Sequence, residues 1–343
     1  MEIIRRGDVI LSYADITFDE ARVILITGGA GFIGSNLCEA FLKKGCYVRC
    51  LDNLSNGKLE NLDTILRHPK FQFILGDIRN YEDCLLACKE AHYVLHHAAW
   101  GSVPKSVLLP RLYEDINIKG TLNLLEAARA CSVHRVIYAS SSSVYGDQAV
   151  LPMKEGSEGR LLSPYAVTKR VNEEYGMLYT RLYGLDTYGL RYFNVFGRRQ
   201  DPNSAYAAVI PRFIHRLLKQ EQAEIYGDGQ QSRDFTYIEN VIEANMRACF
   251  APKEAAGQVF NIACGATISL TELHRELCGL LDCAIPPAYL PERTGDIRHS
   301  LADISKAKAV LGYTAAWSLR QGIREAVEWY KEYMSYDDKK TDH

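Results

Sequence analysis

Between a short β-branched run, "RVILIT" (residues 22–27), and a segment with helical apolar spacing, "GFIGSNLCEAFLKKG", lies the turn "TGGAGFIG". Three of its four glycines, Gly28, Gly31 and Gly34, recur at every third position where a strand hands over to a helix. One allows a tight turn, one lets the backbone approach a pyrophosphate, and one allows close helix–strand contact. The helix N-terminus behind them offers unpaired N–H groups and a positive dipole end to phosphate oxygens. Cofactor contacts are therefore expected at Gly28, Gly31, Phe32, Ile33 and Gly34. A lone glycine triplet is equally a plain tight turn, so the surroundings decide. "YVRCLDN" reads as a second strand and ends at Asp52, roughly twenty residues beyond the glycines. A carboxylate there accepts from a ribose 2′-hydroxyl and repels a 2′-phosphate, which favours NAD over NADP. Asp77 in "LGDIRN", after the third strand "FQFILGD", is either an adenine contact or an ordinary strand-end cap.

The elements continue to alternate. "AHYVLHHAA" is a fourth strand, "GTLNLLEAARACS" a helix, "HRVIYASS" a fifth strand and "SPYAVTKRVNEEYGMLYTRLYG" a long helix before "DTYGLRYFNVFG". Such alternation predicts βαβ units that build one parallel sheet with helices on both faces. Beyond Gly197 the strands become fewer and shorter, although "GQVFNIACG" reads as a buried strand returning to the first sheet. The expected architecture is α/β: a doubly wound parallel Rossmann sheet with a smaller, sequence-interleaved C-terminal substrate domain. Residues 1–197 plus 241–265 form the first part and residues 198–240 plus 266–343 the second, with the ligand site in the cleft between them.

Composition narrows the function classes. A net charge of −2 gives no reason to expect a nucleic-acid partner. No apolar stretch reaches the roughly 20 residues of a membrane span, and the first twenty-odd residues do not read as a signal peptide. Ten cysteines are scattered without C-x-x-C spacing. They predict free thiols packed as small hydrophobes, no metal site, and a cytoplasmic protein.

Two further stretches carry chemistry. In "SPYAVTK", Tyr165 and Lys169 are four apart and share one face of the long helix. A free tyrosine has a pKa near 10, and a nearby ammonium favours its phenolate, which turns it into a usable base. The pair alone is also a common amphipathic surface feature. One connection upstream, "YASSSSVYGD" sets four serines, Ser140–Ser143, at the end of an apolar strand, with Ser140 expected as its last residue.

Taken together, "TGGAGFIG", "LDNLSNG", "GDIRN", "HHAA", "YASSSSVYG", "SPYAVTK", "LRYFNVFG", "SRDFTYIENV" and "GDIRHSLADISKA" resemble the extended short-chain dehydrogenase/reductases, over nearly the whole chain. Within them the chain is most similar to the NAD-dependent nucleotide-sugar epimerases, in particular the bacterial UDP-N-acetylglucosamine 4-epimerases. The resemblance implies a catalytic triad of Ser141, Tyr165 and Lys169. It implies cofactor contacts at Asn53, Asn56, Gly57, Asp77, Ile78, Ala98, Ala99, Asn117 and Tyr192, beside Asp52 and the glycine turn. It implies UDP-sugar contacts at Ser102, Ser142, Ser143, Asn194, Ala208, Val209, Tyr226, Arg233, Arg293, Asp296 and Ser300.

Family dehydratases carry Thr-Asp-Glu where this chain has Ser141, Ser142 and Ser143, and family decarboxylases carry a Glu there. Without those carboxylates the implied reaction is 4-epimerisation through a transient 4-keto sugar and NADH. Ser300 matches a position where a tyrosine excludes N-acetylated sugars, so a small hydroxyl implies UDP-N-acetylglucosamine and UDP-N-acetylgalactosamine as substrates, with UDP-glucose and UDP-galactose open. Trp100 and Gly101 depart from smaller or lysine variants in some relatives. A UDP-N-acetyl-hexosaminuronic acid 4-epimerase, a decarboxylase or dehydratase, and an NAD-sensing regulator remain alternatives. Relatives pair their long helices, so a homodimer through residues 109–130 and 164–183 is expected.

Overall fold

The computed structural model describes residues 13–202, 208–292 and 298–341. Six strands open the sheet: β1 (Val23–Thr27), β2 (Tyr47–Asp52), β3 (Phe71–Leu75), β4 (Tyr93–His96), β5 (Arg135–Ser141) and β6 (Asp186–Tyr192). A seventh, Gln258–Ile262, pairs in parallel with β6. The order is Gln258–Ile262, β6, β5, β4, β1, β2, β3, and every pairing is parallel. The chain winds outward from β1 to β3, then returns to start the other half at β4. This leaves a switch point between β1 and β4, where the crevice at the strand ends admits a ligand.

Both faces of the inner strands are dry, and the strand sequences show why. In β1, Ile24 and Ile26 join one apolar cluster with Phe41 and Ile242, while Leu25 points the other way to Val94, Leu124 and Val136. A strand covered on both sides cannot alternate apolar with polar, hence the continuous runs read from the sequence. Helix α1 (Phe32–Lys43) packs beneath the glycine turn. The long helix Pro164–Tyr183 begins with Ser163, whose hydroxyl accepts from the Ala166 N–H, and Pro164 at its first position; it ends at Gly184 in the left-handed region (φ 71°). β5 runs one residue further than expected: Ser141, not Ser140, ends it, and Ser142–Tyr145 form a 3₁₀ turn.

Smaller elements complete the molecule. Glu224–Tyr226 pairs with Ala288–Leu290, and Ser232–Arg233 pairs with Ile268–Ser269. Residues 13–22 form a strap before the sheet. Tyr13 donates from its hydroxyl to Glu239 at 2.7 Å, and the Lys44 ammonium donates to the carbonyls of Tyr13, Ala14 and Ile16. All ten cysteines are free. Among the described residues no helix is long and apolar enough to cross a membrane.

Candidate active site

A cleft of about 550 Å³ opens at the switch point, lined by Gly28, Gly31, Asp52, Asn53, Asn56, Gly57, Asp77, Ile78, Ala98 and Ala99. These ten are expected cofactor residues, delivered by the C-terminal ends of β1, β2, β3 and β4. The glycines divide the work by geometry. Gly28 has φ +69°, and a Cβ there would lie 2.7 Å from the Ala98 backbone. A Cβ at Gly34 would lie 2.1 Å from the Gly28 carbonyl oxygen, so Gly34 closes the turn onto the helix rather than facing the cleft. A Cβ at Gly31 meets protein only at that oxygen, 3.2 Å away, which keeps the backbone approachable from the cleft. No side chain caps the N-terminus of α1 at Gly31. The helix start carrying Phe32 and Ile33 therefore keeps main-chain donors for an anion. A narrow glycine cradle, an uncapped helix end and a carboxylate beside them fit a dinucleotide.

The acidic residues of this cleft are engaged before any ligand arrives. Asp52 accepts from the Ala30 N–H at 2.9 Å and the Leu54 N–H at 2.8 Å, so it also braces the glycine turn. Burial raises its pKa against those two donors. Asp77 accepts from Arg79 at 2.7 Å and from Asn53 at 2.8 Å. The Arg79 guanidinium is the main cause that holds it down to about 2. Of its two expected roles, the structure displays the local tie.

Asn117 is buried in a π-helical stretch, Glu114–Lys119, and faces away from open space. It accepts from the Trp100 N–H at 2.9 Å and donates to the Trp100 carbonyl at 3.1 Å and to Thr168 at 3.1 Å. It thus pins the loop after β4. Trp100, expected beside the sugar as an influence on substrate preference, lines this first cleft. With the Asn56 amide turned so that both its atoms are satisfied, its oxygen accepts from the Trp100 indole N–H at 2.8 Å. The Lys105 ammonium sits 3.8 Å from the centre of the Trp100 ring.

The triad stands at the end of β5, next to β4 on one side and β6 on the other. Ser141 accepts from the Ser143 N–H at 3.1 Å and interacts with the Tyr165 hydroxyl. Ser106 accepts from the Tyr165 N–H at 3.1 Å, and the Tyr113 ring meets that of Tyr165 edge-on at 6.4 Å. Lys169 lies with its ammonium 5.9 Å from the Tyr165 ring centre and donates to the Ala139 carbonyl at 2.8 Å. Burial dominates both groups: Tyr165 is pushed up to about 12, with Ser141 pulling it back, and Lys169 is pushed down to about 8, with Glu173 pulling it back. The expected lowering of the tyrosine by the lysine is not displayed, because the ammonium is turned to a backbone carbonyl. Tyr192, opposite Ser141 on β6, has its hydroxyl between His97 (2.9 Å) and Asn245 (2.8 Å). Ser143 keeps a buried hydroxyl without a partner.

A second cleft, of about 810 Å³, begins where β6 leaves the sheet and holds Asn194, Ala208, Val209, Tyr226 and Arg233 together. Five expected sugar-side residues thus converge. Asn194 donates to the Asp234 carbonyl at 2.9 Å and to the buried Ser300 hydroxyl at 3.3 Å, which brings Ser300 to the same place. Ser102 instead caps the short helix Val103–Leu108 and accepts from Tyr113 through its carbonyl at 2.8 Å. Ser142 opens the 3₁₀ turn beside Ser141. Arg293 and Asp296 lie outside the described residues. The cleft also contains Arg212, whose guanidinium lies 5.6 Å from the Tyr226 ring centre. Its only sequence signal is its place one turn into the helix Val209–Leu218. Asp234, next to Arg233, accepts from the Cys264 and Gly265 N–H groups at 3.0 Å and the Ala302 N–H at 3.3 Å. Burial outweighs these donors and lifts it to about 7.

Residues 24–263 match the model of the NAD dependent epimerase/dehydratase family. The UDP-glucose 4-epimerase of Mycolicibacterium smegmatis is 38% identical over 90% of this chain and 98% of its own. A solved UDP-N-acetylglucosamine 4-epimerase from Methanobrevibacter ruminantium, in complex with UDP-N-acetylmuramic acid, superposes with TM-score 0.85. It is 39% identical and covers 92% of this chain and 99% of its own. The UDP-glucuronic acid 4-epimerase of Bacillus cereus, with UDP-glucuronic acid and NAD, gives TM-score 0.83 at 32% identity over 91% and 99%. A matched family model over most of the chain, on this sheet and this cleft, makes the protein a member of the NAD-dependent epimerase/dehydratase family.

Proposed function

We propose that the protein is a UDP-sugar 4-epimerase whose substrates are UDP-N-acetylglucosamine and UDP-N-acetylgalactosamine. What supports this reading is Ser141 at the end of β5 with Tyr165 and Lys169 against it, flanked by β4, which runs on into the first cleft, and β6, which runs on into the second, with hydroxyls rather than carboxylates at Ser142 and Ser143. Gly28, Gly31, Asp52 and the start of α1 would hold NAD, which when bound supplies a reversible hydride acceptor.

Tyr165 takes the proton of the sugar 4-hydroxyl and later returns it, and Ser141 orients that hydroxyl. Burial keeps Tyr165 protonated at rest, so a positive charge beside it is needed to release the proton; Lys169 is the cation in place. Loss of that proton together with the C4 hydride, which bound NAD would accept and later give back, leaves a 4-keto sugar that turns over about its phosphate linkage while Arg233 and Arg293 hold the diphosphate. Tyr226 and the Ala208–Val209 backbone hold the base, and Asp296 its ribose. Neither Ser142 nor Ser143 can act as a carboxyl acid or base, so loss of water or carbon dioxide finds no such group there. Ser300, small and next to Asn194, leaves room for an N-acetyl group at C2.

We further take the division at 1–197 plus 241–265 as the working domain boundary. The exposed apolar residues Val167, Leu178, Leu182 and Tyr183 on the long helix support a homodimer, which sedimentation tests.

The deciding experiment incubates the protein with UDP-N-acetylglucosamine, UDP-glucose and the uronic-acid analogue and follows the anomeric protons by NMR. Expected is interconversion of the N-acetyl pair at unchanged mass, and loss of about a thousandfold in rate for Tyr165→Phe. A near-wild-type rate in that variant rules out the tyrosine as the base.

A further inference from the structure

A buried charge cluster lies beneath the triad, and the chemistry proposed above leaves it unused. Glu173 is one helical turn beyond Lys169 and two beyond Tyr165, and is 4% exposed. Ser140 donates to its Oε1 at 2.5 Å. Arg191, on β6 and 1% exposed, donates from Nε to Oε1 and from Nη2 to Oε2, both at 2.8 Å. The remaining arm of Arg191 reaches Glu158, and its guanidinium lies 5.0 Å from the centre of the Tyr145 ring.

A buried ion pair is weak evidence for anything but local structure. Here, however, its two ends act on the triad. The last three residues of β5 each meet the long helix: Ala139 through Lys169, Ser140 through Glu173, and Ser141 through Tyr165. The Lys169 ammonium faces the Ala139 carbonyl from β5, Tyr165 and Glu173 from its own helix, and His96 at the end of β4 with His97 just past it. Both histidines are held neutral, at about 3, chiefly by burial. Glu173 is thus the only carboxylate acting on the lysine among the described residues. On its other side Glu173 faces Arg191, Ser140 and Arg170, and Tyr138 feels its charge.

We propose that Glu173 is a positioning residue: through Ser140 it fixes the end of β5 that carries Ser141, and through its charge it holds Lys169 as an ammonium beside Tyr165. This rests on the epimerase reading of the site.

The test uses the NAD-bound enzyme with Glu173→Gln, which keeps the shape and an acceptor for Ser140 but removes the charge. Loss of a neighbouring anion makes an ammonium easier to deprotonate. The high-pH limb of the kcat profile is therefore expected to move down by about half a unit or more. At pH 8, kcat is expected to fall about tenfold with little change in the KM for UDP-sugar. Ser140→Ala keeps the charge and is expected to lower kcat without moving the limb. The titration of Lys169 itself, read by ¹³C NMR of the lysine Cε and assigned by its absence in Lys169→Arg, is expected to shift the same way without substrate present. Arg191→Gln removes the closest cation opposing the carboxylate and is expected to shift it upward, which keeps the idea testable if Glu173→Gln does not fold. A uniform loss of kcat with an unmoved limb and an unmoved Lys169 titration overturns the proposal. Absence of epimerisation in the wild type would instead sink the underlying reading, while the NMR titration would still judge Glu173.

Discussion

Along the switch-point cleft, Gly28, Asp52, Asp77 and Ala98 each lie within two residues of the end of a strand in one parallel sheet. In the second cleft Asn194 alone of the four follows a strand of that sheet, two residues past β6, while Ala208, Tyr226 and Arg233 come from loops and short strands that share no sheet, and side chains tie the cleft together. The first cleft gets its shape from backbone geometry that the sheet imposes. The second gets it from polar contacts, with Asp234 gathering the N–H groups of Cys264, Gly265 and Ala302, and Asn194 reaching both Asp234 and Ser300. The two clefts should therefore fail differently. A methyl group suffices to break the first, whereas the second responds to the loss of a tie or to a change in side-chain volume.

The largest effect is expected from Gly34→Ala. Its new Cβ would lie 2.1 Å from the Gly28 carbonyl and 2.7 Å from Gly29 Cα, and both are backbone atoms that cannot swing aside. Overpacking of this kind costs about 1–3 kcal/mol, or roughly ten- to a hundredfold in NAD affinity if the turn deforms. The protein should purify with little bound NAD, judged by its absorbance ratio at 260 and 280 nm, yet still bind UDP by calorimetry. Loss of both ligands together would mean that the clefts are not separable.

The same contrast explains what could be read in advance. Gly28, Asp52 and the Tyr165–Lys169 pair were legible because strand ends and helix spacing fix where such residues go. Ten of the expected cofactor residues gather in one cleft for that reason. The tie of Asn117 to the Trp100 loop was not legible, because it sits in a π-helical turn that nothing in "DINIKG" announces. Arg212 and Asp234 were invisible as site residues because their roles depend on which distant segments fold against them. Arg212 meets Tyr226 across 14 positions, and Asp234 meets Ala302 across 68.

Next in size is Ser300→Tyr. If the second cleft is set by side-chain volume, this variant should lose roughly tenfold in kcat/KM for UDP-N-acetylglucosamine and much less for UDP-glucose. Equal losses for both would mean that the substitution collapses the tie to Asn194 rather than gating the C2 substituent. The comparison of the two substrates, measured side by side, separates these outcomes.

A smaller, pH-dependent effect belongs to Asp234. Its folded pKa of about 7 lies above the ordinary carboxylate value. The folded state therefore binds more protons than the unfolded chain between about pH 4 and 7. Stability present at the acid end is lost as pH rises through that window and is level above it. Tm should fall by several degrees from pH 4.5 to 7.5, and Asp234→Asn should flatten that slope while lowering Tm at the acid end. A slope unchanged in the variant would assign it to another group.

The smallest effect probes whether the first cleft is purely a backbone construction. Asn56, on the loop after β2, and Trp100, on the loop after β4, meet through the indole N–H at 2.8 Å and so bridge the two lips of that cleft. Lys105 on one face of the ring and the edge contact to Tyr113 at 6.0 Å keep the indole in place. A leucine at position 100 keeps apolar volume but has no N–H, so the bridge is lost while the glycine turn and Asp52 are untouched. One such hydrogen bond is worth about 1 kcal/mol, so Trp100→Leu should release NAD roughly fivefold faster with kcat on saturating NAD nearly unchanged. Exchange of bound NAD against a labelled pool measures the release directly. The wild type offers a second readout, because Trp100 is one of only three tryptophans and Trp317 is buried elsewhere. NAD binding should quench the emission of the wild type more than that of the variant. Unchanged exchange would leave the cleft as backbone geometry alone. Faster exchange would show that even here one side-chain tie sets how long the cofactor stays.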